Sequence, residues 1–173
     1  LNPADENNMC SWALRSLLIE DEGRLILVDT GMGDKQSEKF FGYYYLHGED
    51  TLDKGLATYG FHRDDITDVF LTHLHFDHVG GAIKRENETF IPAFKNAVYW
   101  SNENHWKWAT EPNPREKASF LKENILPIKE SGRLKFISER SKQAGALDIA
   151  NFTTHIQIRF ADGHTDGMML PQL

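Results

Sequence analysis

Between Leu71 and Gly81 the chain reads LTHLHFDHVGG, and three histidines and an aspartate fall within the six positions 73–78. The preceding residues, DDITDVFLT, predict a buried strand over Asp68–Thr72. In an extended segment, residues two apart point the same way, so His73 and His75 can approach one metal ion together. Asp77 and His78 follow where the chain turns towards a helix. They point differently and can reach a second ion nearby. Imidazole nitrogen and carboxylate oxygen are ligands for zinc and similar divalent ions. Gly80 and Gly81 lack a Cβ and let the backbone pass close to the site, while the strand ending at Thr72 supplies the rigid base that metal geometry needs. A loop whose histidines only hydrogen-bond would not need this array.

Around this stretch, strand and helix patterns interleave, which places the chain in the α/β or α+β class. Apolar residues over Trp12–Ile19 and Leu25–Val28 flank a turn at Asp21–Gly23 and predict a β-hairpin. Residues 34–60 carry aromatic and aliphatic groups at helical spacings and predict one or two helices. A short helix or turn is expected near Val79–Ile83, and NAVYWS reads as a strand. Ser101 is placed to cap a short helix carrying Trp106 and Trp108. In NPREKASFLKEN, Asn113, Pro114 and Glu116 have the spacing of a helix start. GRLKFIS reads as a strand. In THIQIRFADGH, Ile156, Ile158 and Phe160 alternate with polar residues, so one strand face is buried. Tyr43–Tyr45, Trp100, Trp106 and Trp108 are candidates for the core first, with an aromatic lid over the metal ions as the alternative. The closing MMLPQL begins what looks like a further strand without a partner. There is no repeat and no linker, so the 173 residues read as a single domain whose remainder lies beyond Leu173.

Charge and cysteine content narrow the partners. With 26 acidic and 19 basic residues the net charge is −7, which repels nucleic acid and anionic membrane on average. No apolar run approaches the ~18 residues of a membrane span. The single cysteine, Cys10, excludes an internal disulfide, reads as a small buried apolar residue, and fits a cytoplasmic, reducing compartment. His47, His62, His105 and His155 lie in solvated or packing contexts, with His105 also placed to line a pocket among tryptophans.

The stretch THLHFDHVGG resembles the signature of the metallo-β-lactamase-fold hydrolases. LILVDTGMGD is similar to the strand and turn that set an aspartate, here Asp29, beside the metal centre. FADGHTDGM is similar to the later loop that supplies another histidine, here His164. The resemblance runs over nearly the whole chain and implies an αββα sandwich with two metals at the edge of its sheets. By motif position, His73, His75 and His164 would hold the first metal, and Asp77 and His78 the second. Asp29 would orient a ligand or close a turn. Family members add a bridging aspartate and a further histidine beyond the third motif. This sequence ends nine residues after His164, so no residue here takes those roles, and a C-terminal remainder, in the same or a separate polypeptide, is expected to complete the domain. The third motif departs from the common pattern at Asp166, where many relatives have proline, which bears on the subgroup more than on the ligands.

What the resemblance implies is a metal-dependent hydrolase with two Zn2+, or Mn2+ or Fe2+, using metal-activated hydroxide. Its substrate would be a small-molecule ester, lactone, thioester, amide or phosphoester, and the spacing is nearest to lactonase-like and organophosphate-hydrolase-like members. Asp77 would act on the water as well as bind metal. The resemblance leaves a homo-oligomer open. The alternatives are an iron-dependent redox member of the fold, against which His75 stands because diiron members tend to carry an acidic residue there, and a non-catalytic metal-binding module.

Overall fold

The computed structural model describes residues 2–138 and 149–173. Two strands, β1 (Leu17–Asp21) and β2 (Arg24–Val28), form the N-terminal hairpin. The helices are α1 (Glu38–Phe41), α2 (Leu52–Thr58), α3 (Phe76–Val79), α4 (Glu103–Thr110) and α5 (Lys122–Glu130). The remaining strands are β3 (Asp68–Phe70), β4 (Ile83–Glu86), β5 (Thr89–Pro92), β6 (Val98–Ser101), β7 (Leu134–Phe136), β8 (Ile149–Asn151), β9 (Gln157–Ala161) and β10 (Met168–Gln172). A five-stranded sheet has the order β1-β2-β3-β6-β7, parallel from β2 onward. A three-stranded antiparallel sheet has the order β10-β9-β8, and β4 and β5 form a separate hairpin.

Strand alternation assigns the faces. Leu25 and Leu27 of β2, with Val69 and Leu71, join Leu56, Trp106, Ile125 and Ile128 in a core beneath the helices. Ile26, Val28 and Phe70, one position out of phase, meet Ile156, Ile158 and Met169 of the second sheet. Because successive side chains point to opposite faces, the larger sheet is apolar on both sides. The layers are helices, five-stranded sheet and three-stranded sheet. Full burial of each such side chain contributes about 1.5–3 kcal/mol. Among the described residues no helix is long and apolar enough to cross a membrane.

Several expectations are corrected. The first strand begins at Leu17 and not Trp12, which is 80% exposed. Leu17 already pairs with Val28, and Asp29, at φ 56°, turns the chain away, so residues 12–16 have no strand to pair with. Ser101 caps nothing: it is a buried strand residue paired with Phe136, and Asn102 caps α4 by accepting from the His105 N–H. Asn113 Oδ1 does accept the Arg115 and Glu116 N–H groups, but only a turn follows. Glu116 is drawn into tertiary hydrogen bonds, the Ser119 carbonyl accepts from the Phe76 N–H, and the helix starts at Lys122. Cys10 is exposed. Tyr43, Tyr44 and Tyr45 lie outside the core. The closing segment is not without a partner: β10 pairs with β9 from Met168–Ala161 to Gln172–Gln157, and Met169 is buried. The β4–β5 hairpin was not anticipated. It turns at Asn87, whose φ of 55° is a conformation asparagine tolerates better than most residues.

Candidate metal centre

The parallel strands β2, β3 and β6 deliver their C-terminal ends to one edge of the sheet, where ligands bind in open α/β folds. Asp29 follows β2 directly. Its Oδ1 accepts the Thr72 N–H at 2.8 Å, and its Oδ2 accepts the Thr72 hydroxyl at 2.8 Å and His78 Nδ1 at 2.7 Å. The turn after β2 docks on α3: Thr30 N–H donates to the His78 carbonyl and Gly81 N–H to the Gly31 carbonyl. A Cβ at Gly80 would run into the Met32 carbonyl, and one at Gly81 into that of Thr30. The buried Lys35 ammonium donates to the Gly80 carbonyl, and burial pushes its pKa down to about 8 despite the charges of Glu123 and Asp34. The β3–α3 segment is therefore clamped from below.

The second sheet brings the last contributor. The Met169 N–H donates to the Thr72 carbonyl at 2.8 Å, so the β9–β10 loop lies over the end of β3. This places His164 beside His73 and His75, with ring centroids 4.7 Å apart for His73–His75 and 4.9 Å for each of the other two pairs. One donor atom from each of the three lies within 4.8 Å of the others. His73 and His75 are 3% and 7% exposed, and the Nε2 of each is buried with no hydrogen-bond partner among the described residues. Such orphans are costly in a folded protein. Burial, then the neighbouring imidazoles, push His73 down to about 2. Burial and His164 lower His75 as well, against the opposing pull of Asp77 and Glu116. Two buried imidazoles with unclaimed Nε2 atoms and a third histidine at this spacing fit a zinc-type ion.

Asp77 and His78 stand outside that triad. The His78 ring lies 4.0 Å from that of His73, and His78 Nε2 is 3.6 Å from Asp77 Oδ2. Burial disfavours the charged form of His78, but the hydrogen bond and charge of Asp29 outweigh it and raise its pKa. The rings of Phe40, Tyr44 and Phe76 pack at 5.2–5.3 Å, and the charge of Asp77 adds to burial in raising the Tyr44 hydroxyl. Phe76 directly precedes Asp77 in α3, so this aromatic group adjoins that helix.

Two further residues touch the same loops. Glu116 Oε2 accepts from the Thr165 hydroxyl at 2.8 Å and Trp108 Nε1 at 3.1 Å, and lies 3.6 Å from His75 Nε2. Burial would raise its pKa, but these donors with Asn113 hold it low. The sequence offers Glu116 only as part of a helix start, and nothing in its spacing points to a contact with Thr165. His105 is fully buried between the two loops; a lone histidine among tryptophans carries no signal for that place. His155 lies in the connection between β8 and β9, 2.7 Å from Asp21 at the end of β1.

A family model, the metallo-beta-lactamase superfamily, matches residues 15–142. An N-acyl homoserine lactonase of Bacillus thuringiensis is 34% identical over 91 residues, 47% of this chain and 35% of that protein. One of Bacillus cereus is 33% identical over 137 residues, 73% of this chain and 48% of that protein. The chain thus spans a third to a half of the length of the curated relatives it matches. Among solved structures, a probable metal-dependent hydrolase from Staphylococcus aureus superposes with a TM-score of 0.82 over 98% of this chain and 57% of that one. Its 24% identity makes this a likeness of fold. AidC, a dizinc quorum-quenching lactonase, superposes with a TM-score of 0.65 at 26% identity, over 90% of this chain and 50% of that one. With its signature histidines at the ends of parallel strands and its family model running from the hairpin through β7, this chain belongs to the metallo-beta-lactamase superfamily.

Proposed function

We propose that the protein is a metal-dependent hydrolase of lactones or related small esters, with zinc as its metal. The observation that carries this is the convergence of His73, His75 and His164, with buried Nε2 atoms on the first two that no group among the described residues satisfies. Supporting it, curated relatives are N-acyl homoserine lactonases. The triad would hold a first ion, and Asp77 and His78 would contribute to a second. A pair of such ions, when bound, supplies Lewis acidity and lowers the pKa of coordinated water.

The chain's own residues divide the remaining work. Asp77 Oδ2, partly exposed next to His78, accepts the proton of the attacking water and passes it to the departing alkoxide. Asp29 fixes the His78 ring through Nδ1, leaving Nε2 to face the site. The packed rings of Phe40, Tyr44 and Phe76 offer an apolar wall for an acyl chain.

The test pairs metal content with turnover of N-hexanoyl-homoserine lactone by the full-length protein, followed by acid release. Activity should disappear after chelation and return with zinc. Ring opening that survives complete metal removal would overturn the proposal.

A further inference from the structure

The metal-ligand loops come from distant parts of the chain, one after β3 and one between β9 and β10. A group that touches both is in a position to set the distance between their histidines. The first turn of α4 contains one. His105 Nε2 accepts the Leu74 N–H at 2.8 Å, and Leu74 lies between His73 and His75. On the other side of the ring, His105 Nδ1 lies 2.6 Å from the Asp166 carbonyl, two residues after His164. These partners fix the tautomer. A carbonyl can only accept, so Nδ1 carries the hydrogen; an N–H can only donate, so Nε2 is bare.

The neighbouring contacts strengthen the same junction. Asn102 Nδ2 donates to the Gly167 carbonyl at 2.7 Å while its Oδ1 accepts the His105 N–H at 2.8 Å. Gly167 has φ 69°, and a Cβ there would lie 3.1 Å from Asn102 Oδ1 and 3.2 Å from the His105 Cβ. The β9–β10 loop therefore lies flush on the start of α4. His105 is buried, and with one ring nitrogen accepting and the other donating it has the bonding pattern of a neutral imidazole.

We propose that His105 is a positioning residue that joins the two metal-ligand loops through its Nδ1–H tautomer and so sets the spacing of His73 and His75 against His164. The proposal rests on the assignment of those three histidines as metal ligands. A buried histidine that merely satisfied its own polar atoms would affect stability alone. A positioning residue affects metal affinity and coordination geometry beyond any loss of stability, in the way that groups supporting metal ligands commonly do.

The experiment is a cobalt(II) titration of the metal-free, full-length protein, reading affinity and the visible absorption of the bound ion. Four variants are compared: His105→Phe, His105→Gln, Tyr99→Phe and His73→Ala. Tyr99→Phe is the stability control, since its hydroxyl accepts the Phe94 N–H within the core beneath the helices. The expected result is that His105→Phe weakens cobalt binding about tenfold or more and alters the spectrum, while Tyr99→Phe leaves both as in the parent. His105→Gln, which keeps a donor and an acceptor on one planar group, should recover part of the affinity. Should His105→Phe not fold, the ring of the parent decides: nitrogen NMR must show hydrogen on Nδ1 in the metal-free protein. An Nε2–H tautomer overturns the proposal, as does a His105→Phe variant that binds cobalt as the parent does. If His73→Ala also binds cobalt as the parent does, the ligand set itself is wrong and the proposal falls with it.

Discussion

Asp29 Oδ2 accepts the Nδ1 hydrogen of His78 at 2.7 Å, so the residue that follows β2 orients the last histidine of the signature. The same carboxylate takes the Thr72 N–H and hydroxyl, which ties the start and the end of the signature to one fixed point. Asp29→Ala should therefore loosen His78 and lower affinity at the second metal position by 10- to 100-fold or so, with less effect on the triad. Metal titration that resolves two equivalents in the full-length protein checks this. Equal weakening of both equivalents would mean that Asp29 only holds the loop together.

On the proposed ligand set, His75→Ala removes one of three protein donors from the first position and should abolish metal binding there. Asp77→Ala should spare much of that binding and reduce turnover by roughly 10²- to 10⁴-fold, the usual contribution of a positioned proton acceptor. Metal content and lactone hydrolysis measured on the same preparations separate the two roles. Near-normal hydrolysis by Asp77→Ala would remove it from the chemistry.

The strands that carry the site were legible in the sequence because burial on both faces leaves an almost unbroken apolar run, as in Leu25–Val28. The signature was legible because alternation after such a strand puts His73 and His75 on one side. What failed were local signals overridden by tertiary contacts. The Asn113 cap bonds form, yet Glu116 is claimed by Thr165 and Trp108, and no helix grows from that turn. Ser101 has cap chemistry but is needed as a strand residue beside Phe136. His105 was illegible because its partners are backbone groups, Leu74 N–H and Asp166 C=O, that leave no mark in any side-chain pattern.

Gly81→Ala tests the close approach of the β2 turn to α3. The added Cβ meets the Thr30 carbonyl, and the Gly81 N–H is itself bonded to Gly31, so neither side can retreat without losing a hydrogen bond. Destabilisation of about 2 kcal/mol is expected from overpacking against backbone, read as a lowered urea midpoint at unchanged slope. An unchanged midpoint would show that the turn is free to move.

The pair Arg24–Asp68 should dominate the acid limb of stability on the side of the sheet away from the metal centre. Asp68 accepts two bonds from the guanidinium, at 2.6 and 2.9 Å, and others from Thr67 and Trp100. Its side chain is 7% exposed and that of Arg24 27%. Burial would raise the Asp68 pKa, but the bonds from Arg24, Thr67 and Trp100 outweigh it and hold the group below its ordinary 3.8. A carboxylate whose folded pKa lies below its unfolded value contributes stability that is complete above the unfolded value. That contribution is lost as pH falls through the folded one. The parent should therefore lose stability below pH 3.8 more steeply than Asp68→Asn, which has no proton to take up. At neutral pH, Arg24→Met should cost about 3 kcal/mol, because it leaves the Asp68 charge buried without its partner. Urea unfolding of the three proteins across the acid range measures both effects. Parallel curves for parent and Asp68→Asn would show that this carboxylate does not set the acid limit.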